Sequence, residues 1–454
     1  MTPQTAPSGT LSEALADFAC GLDWDHLPES VRSAARRTFA NVVGLAVGAS
    51  GHEAVQVALA ALEDMGVAGT TSVLGRQEGT SLLWAPFVHG IAMHVEDFDD
   101  THLRTVIHPG APVVAAALAA AELVDADGKE LLAAVVAGVE VACRVGNALG
   151  PGHFDRGWHL TGTMGHLGAA AAAGRLLGLW PEQMRHALAI AATQASGHTE
   201  QLGTMSKSMH PGKAAADGLE AALLARAGTT GPAAPVEGPA GLAALMAPDP
   251  DLDEVLVDLG TVWEIESNAF KPYACGIVSH PVIDAGVRLR EQGLDPATVQ
   301  SVEVVVRPVV LQVMGVEEPA DGLMSKFSVY HCFAVGLLDG AAGPAQYSDE
   351  RALADDVVTL RRKVRAVTDP DMPKDACRTT VRLVDGTELV VEVEHATGSV
   401  DSPMSDQQLR AKFLLLVEPV LGDAAPTLWD LAARVDELAA LRPLVAASRQ
   451  AVRS

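Results

Sequence analysis

The sequence predicts a mainly α fold, a large all-helical domain with an inserted smaller α+β lid domain, and three observations predict it. The 454-residue chain is longer than one hydrophobic core usually serves. Its 48% apolar fraction leans on alanine, with only 4% aromatics, which suits helices that approach one another closely. The texture changes near Trp263 from helical periodicity to β-branched alternation, then returns to helix. The boundaries that follow are 1–265 plus 404–454 for the helical domain and 266–403 for the lid.

Thr10 and Glu13 form a capping box ahead of LSEALADFACGL. The next helix begins at Pro28, a favoured first-turn residue, and sets Val31, Ala35, Phe39, Val42 and Val43 on one face. Helical segments follow at 81–98, 111–123, 128–148, 163–178, 181–195 and 211–227, with no strand-like alternation between them. In the lid, SVEVVVRPVVLQVM (301–314) is rich in β-branched residues, and CRTTVRLVDGTELVVEVEHA (377–396) reads as a hairpin turning at Asp385-Gly386. Helices are expected near 280–293, 325–339 and 348–363. The closing segments SDQQLRAKFLLLVEPVL and TLWDLAARVDELAALRPLV are helical and expected to pack back onto the first domain.

A net charge of −25 excludes non-specific attraction to nucleic acid or to an anionic membrane surface. An anionic substrate must therefore meet a local cationic pocket against an unfavourable overall field. The five cysteines (Cys20, Cys143, Cys275, Cys332, Cys377) are scattered without a CxxC, as expected of reduced thiols in a cytoplasmic protein. The polar TPQTAPSG after Met1 is unlike a secretory signal, and apolar runs such as VVAAALAAA are too short to span a bilayer. So Ala-rich and apolar a helical domain is expected to form a homodimer, which would cover apolar surface.

Five segments concentrate chemistry. HVEDFDDTHLRTVIHPG (94–110) holds His94, His102 and His108 with Glu96, Asp97, Asp99 and Asp100. Its spacing gives no HExxH pair, HD dipeptide or calcium loop, so a metal is not expected. Asp99 and Asp100 are expected to cap the next segment. FDRGWHLTGTMGHLGAAAAAGRLLGL carries glycines at 162, 165 and 168 without a preceding strand, which argues helix packing rather than a dinucleotide site. His159 at that helix start is placed to face an anion. In TMSKSMHPGKAAADGLEAALLARAG, Lys207 and Lys213 read as loop lysines before a helix beginning near Pro211, a receiver for carboxylate or phosphate. SNAFKPYACGIVSHPVIDA offers Lys271, Tyr273, Cys275 and His280, with Cys275 more in keeping with a small buried residue than a nucleophile. SKFSVYHCFAVGLLDG offers Ser325, Lys326, Tyr330 and His331. This inventory of His, Lys, Asp, Thr and Tyr suits proton chemistry beside carboxylates, with cations stabilising an enediolate-like carbanion.

The order of these motifs, closed by PMSDQQLRAKF, resembles the MmgE/PrpD family over nearly the whole chain. That family takes in 2-methylcitrate dehydratase, cis-aconitate decarboxylase and iminodisuccinate epimerase. The resemblance implies a helical domain with an α+β lid, a homodimer, a cleft active site and no required metal or organic cofactor. The functional positions it implies are Asp97, Thr101, His108, His159, Lys207, Lys271 and Tyr330. Two features depart from the decarboxylase branch: Gly276 stands where that branch has a histidine, with His280 nearby, and the Thr101–His108 spacing is one residue longer.

The function expected is a cofactor-free lyase, foremost a dehydratase, acting on a small di- or tricarboxylate. His108 and His159 would move protons, Asp97, Thr101 and Tyr330 would orient, and Lys207 and Lys271, with Lys213 and His280, would bind substrate. An epimerase of a dicarboxylate, a divalent-metal hydrolase built on 94–110, and a non-catalytic carboxylate binder are the alternatives.

Overall fold

The computed structural model describes residues 9–449. All but Gly9 of the TPQTAPSG stretch lies outside the described residues. The Thr10–Glu13 capping box is formed, and the Leu11–Gly21 helix follows it. The helices Glu29–Gly48, Trp84–His94, Gly110–Val124, Gly128–Asp155, Leu160–Leu176, Pro181–Gln194 and Met205–Ala227 build the first part of the chain. Gly128–Asp155 is long and apolar enough to cross a bilayer by length and composition, but that apolar stretch is buried within the chain. It breaks at Gly150, whose φ of 60° only a residue without Cβ adopts freely, and Pro151 follows.

Small residues set how closely these helices cross. A Cβ on Gly138 would lie 2.6 Å from the Gly168 carbonyl oxygen, and one on Gly90 would lie 2.5 Å from the Cα of Gly212. The second crossing brings the end of Trp84–His94 against the start of Met205–Ala227, and so carries residues 94–97 to Lys207. The run Ala169–Ala173 is wholly buried, so alanine here allows backbone proximity while removing little area per residue.

Three of the differences from expectation bear on the site and its surroundings. Met205–Ala227 starts six residues before Pro211, so Lys207 and Lys213 are helical rather than in a loop. Proline at the seventh position leaves the Lys207 carbonyl without its usual i+4 donor but does not stop the helix. Asp100–His102 is a strand, paired antiparallel with Asn268–Phe270 (Thr101 opposite Ala269). Three residues are too few to show alternation, and the partner lies far off in sequence. In 301–314, the strand Val299–Val306 gives way at Arg307, the N-cap, and Pro308 opens the Pro308–Met314 helix as an N1 proline.

The four-stranded sheet has the order Val364–Thr368, Val299–Val306, Cys377–Leu383, Glu388–Val393. The first pair is parallel and the others antiparallel. The Asp385-Gly386 hairpin forms as expected, with Gly386 at φ 89°. The Val364–Thr368 strand was not expected, and the helix placed at 348–363 is two short ones, Asp349–Ala352 and Asp355–Arg361. The Asp406–Leu421 helix packs on Glu29–Gly48, where a Cβ on Gly44 would strike the Phe413 ring.

Candidate active site

The segment after Trp84–His94 folds into a tight polar cluster. Asp97 adopts φ 50°, which Asp tolerates better than most residues, and its carboxylate turns inward. Lys207 Nζ, from the first turn of its helix, donates to Asp97 Oδ1. Lys271 Nζ donates to the same oxygen and to the Asp97 carbonyl, each at 3.1 Å. Burial would push the Asp97 carboxyl up, but the two ammonium groups hold it well below the usual carboxylate range. Lys207 lines the adjoining cavity, whereas Lys271 is fully buried behind Asp97.

Asp99 organises the histidines. It lies 2.6 Å from His94 Nδ1 and 3.3 Å from His108 Nδ1. Burial pushes His94 down to about 3, so it is a neutral imidazole donating its Nδ1–H to Asp99. His108 Nδ1 also lies 3.0 Å from the Asp100 carbonyl and 3.1 Å from Thr101 Oγ1. A carbonyl only accepts, so Nδ1 carries a proton, and in the neutral ring it is Nε2 that keeps the lone pair. The peptide N–H of His108 is held by Thr161 Oγ1 at 3.1 Å. Asp100, not Asp99, acts as the cap: its Oδ2 accepts from the Gly110 N–H at 2.9 Å and from Asn268 at 2.6 Å. Burial and the neighbouring Asp99 raise Asp100 to about 6.

His159 precedes the Leu160–Leu176 helix and its Nδ1 lies 2.8 Å from His210 Nδ1. One ring must donate and the other accept, so the pair shares a proton at that contact. Burial drives His159 well below its ordinary value, helped by His210 and Lys207, and His210 falls to about 4. The rings of His94 and His108 are 4.8 Å apart, and those of His108 and His159 6.4 Å.

The cluster borders a cavity of about 460 Å³, lined by residues between 97 and 207 and by residues between 276 and 374. Such a volume falls within the ordinary range for small-molecule sites. Asp97, Thr101, His108, His159 and Lys207 line it. The other expected residues stand apart. Tyr330 lines a different surface pocket with Glu317 and Arg361, because its helix turns Phe333 and Cys332 into the core and leaves Tyr330 at the edge. Phe327 occupies the cavity wall instead, its ring 5.3 Å from Lys207 Nζ. Lys213 is half exposed and paired with Asp217 one turn along its own helix. His280 is buried against the Tyr273 ring, 5.3 Å away. Gly276 is on the cavity wall, and a Cβ there would lie 2.3 Å from Met314 Sδ.

Sequence reading singled out no role for His94, Asp99's histidine bridge, His210 or Lys412. Lys412, from the closing helix, donates to the carbonyls of Phe98 (2.5 Å) and Lys271 (2.9 Å) and to Asn41 (2.8 Å). Its position in the closing PMSDQQLRAKF motif was the available signal. The fold also gathers what the spacing does not: ring nitrogens of His94, His108 and His159 lie within 4.8 Å of one another, as do ligand atoms of His94, Asp97, Asp99 and His108. A cation there would compete with Lys207 and Lys271, which already neutralise Asp97.

The chain matches the MmgE/PrpD N-terminal domain over residues 13–255 and the MmgE/PrpD C-terminal domain over 273–437. It is 28% identical to a cis-aconitate decarboxylase of Aspergillus terreus, covering 98% of both chains. It is 27% identical to the cis-aconitate decarboxylase of Mus musculus, over 89% of this chain and 86% of that one. A cis-aconitate decarboxylase-like protein, oryM, of Aspergillus oryzae is 28% identical, over 92% of each chain. With both domain matches in order and together spanning most of its length, the chain belongs to the MmgE/PrpD family.

Proposed function

We propose that this protein is a cofactor-free lyase that removes a proton next to a carboxylate of a small di- or tricarboxylic acid. The observation that carries the reading is the His108 tautomer: Nδ1–H is committed to the Asp100 carbonyl, and the Nε2 lone pair is left as a base on a cavity shared with the Lys207 ammonium. Lys207 binds the substrate carboxylate and stabilises the enediolate charge that forms as the proton leaves. Asp97 and Lys271 act through Lys207, holding its ammonium in place. The departing group takes its proton from His108 once that ring has been protonated by the abstraction, and His159, kept neutral by burial and tied to His210 through Nδ1, orients that group. In a dehydratase that group is hydroxide, which leaves as water. Decarboxylation is the second reading, supported by the names of the relatives; there the carbanion forms by loss of carbon dioxide and a histidine returns a proton. Residues 266–403 act as a lid over the helical wall, and a cytoplasmic homodimer belongs to the same reading.

Citrate-, aconitate-, malate- and aspartate-like acids incubated with the enzyme in D₂O and followed by proton NMR test this. The expected result is an unsaturated or decarboxylated product, with a loss of at least about 100-fold in Lys207→Ala and in His108→Gln. α-Deuteration with inversion and no such product means an epimerase. Stoichiometric zinc or manganese whose removal abolishes turnover means a metal enzyme. Sedimentation at monomer mass across micromolar concentrations would refute the dimer.

A further inference from the structure

The cavity carries more positive charge than the chemistry above uses. Four cationic side chains line it, Arg104, Lys207, Arg307 and Lys374, against two carboxylates, Asp97 and Asp155. In a chain of net charge −25 that excess is local and unexpected from composition. Asp97 is already neutralised by Lys207 and Lys271. Arg104 is exposed and pairs with Glu254. Arg307 and Lys374 are half-buried and form no ion pair among the described residues. Arg307 Nη1 donates to the Met372 carbonyl at 2.9 Å, and Lys374 Nζ donates to the Arg104 carbonyl at 3.4 Å. Burial, Arg307 and Arg104 all act to lower the Lys374 ammonium from its ordinary value. Cations crowded together without a counter-ion cost free energy, and an anion arriving among them recovers it. The wall is otherwise largely apolar, with Phe154, Leu202, Ile277, Val309, Val313 and Phe327. The fully buried end near Lys207 and the half-buried end near Arg307 are therefore two charged poles of one largely apolar cavity.

We propose that Arg307 and Lys374 form a second anion subsite at the cavity mouth, so that the substrate carries a distal anionic group joined to its reacting carboxylate by an apolar stretch. This rests on the functional reading above, in which Lys207 receives the reacting carboxylate. The distal group is an oxyanion, a carboxylate or a phosphoryl group, and Arg307 offers it a planar fork of donors while Lys374 adds a point charge.

Calorimetric titration with straight-chain α,ω-dicarboxylates from glutarate to suberate, the matching monocarboxylates and the matching ω-phosphonocarboxylates tests the proposal. In the wild type, the best dianionic ligand is expected to bind about tenfold more tightly than its monocarboxylate. A preference for the phosphonate over the dicarboxylate identifies a phosphoryl group as the distal anion, and the reverse identifies a carboxylate. The advantage is expected to vanish in the double variant Arg307→Gln/Lys374→Gln and to survive in Arg307→Lys/Lys374→Arg, which keeps both charges. Lys207→Ala is expected to weaken mono- and dianions alike. Equal affinity for mono- and dianions in the wild type, or a dianion advantage that persists in the glutamine double variant, overturns the subsite alone. A dianion advantage that depends on Arg307 and Lys374 without turnover of any polycarboxylate leaves the subsite standing and defeats the lyase reading. Failure of every acid to bind at millimolar concentration overturns both.

Discussion

Asp97 combines an unusual backbone conformation with an unusual electrostatic load. Its φ of 50° aims the carboxylate between two buried ammonium groups; Lys207 pairs with no other carboxylate among the described residues, and Lys271 has only the more distant Asp99, at 3.8 Å. Asp97→Asn leaves Lys207 buried with no carboxylate partner and Lys271 with Asp99 alone, and it should cost about 3–5 kcal/mol of stability. Chemical denaturation of the variant would show this as a lower midpoint at unchanged m-value; a shift below about 1 kcal/mol would mean that water or His94 compensates the lysines. His89 gives a separate, pH-dependent prediction. It is buried, and its Nε2 accepts the Leu74 N–H at 2.9 Å, which requires the neutral ring. Burial pushes it down to about 4 from an ordinary 6.5. Above pH 6.5 neither state is protonated. Between 6.5 and 4 the unfolded chain binds a proton that the native state does not, so stability falls as pH falls; below 4 this loss levels off. In His89→Gln the slope of stability against pH across that window should be shallower by about 1.4 kcal/mol per pH unit. Urea midpoints measured between pH 7 and 4.5 for both proteins check it, and parallel slopes would refute it.

At the scale of elements, the turn from Asp100 to His108 decides the site. The His102 N–H bonds to the Ile107 carbonyl at 2.8 Å, and the chain closes through Val106 at φ 56°, a left-handed conformation that β-branched residues avoid. This turn puts His108 back beside Thr101 and Asp99, where it meets Thr161. Val106→Gly relieves a strain of about 1–3 kcal/mol while loosening the loop, so we expect unchanged or modestly raised thermal stability with lower kcat. A drop in melting temperature with kcat unchanged would show that the Val106 side chain supports the fold more than its backbone burdens it. The same turn shows what was legible in the sequence. The residues of 94–110 announced themselves by type, and Asp97, Thr101 and His108 all reach the cavity. The geometry was illegible because it depends on a three-residue strand, a left-handed valine and a partner strand at 268–270. His94 was passed over because helical spacing tests look one turn ahead, whereas its partner Asp99 lies five residues on, around a bend. Helix existence, by contrast, was readable for most long alanine-rich segments, even though Gly110–Val124, Leu160–Leu176 and Met205–Ala227 have no side-chain cap; the Glu53–Asp64 helix was not expected. Tyr330 shows the reverse limit: its position in a helix start was readable, but which way that start faces is set by the packing of Phe333 into the core.

The whole molecule holds its site with residues from both ends of the sequence. Lys412, in the Asp406–Leu421 helix, is buried with its ammonium on the Phe98 and Lys271 carbonyls and on Asn41 Oδ1. Burial pushes it down to about 7, yet three acceptors within 2.9 Å match three N–H bonds, so the ammonium is the form the surroundings are built for. It also lies 4.0 Å from the centre of the Phe98 ring. One side chain near the C-terminus thus ties the backbone just after Asp97 to the backbone of Lys271, at the changeover between the two parts of the chain. Lys412→Met keeps much of the apolar stem but removes all three donors, leaving buried carbonyls without partners at a cost of about 1–3 kcal/mol each when unrelieved. We expect a fall in stability of about 3 kcal/mol or more, together with a loss of kcat larger than any change in KM, because Lys271 and Asp97 would no longer hold Lys207 in place. Thermal denaturation and steady-state kinetics on the same preparation read both. A variant that loses stability but keeps kcat when assayed well below its melting temperature would make Lys412 a packing residue, and would detach the closing helix from the chemistry.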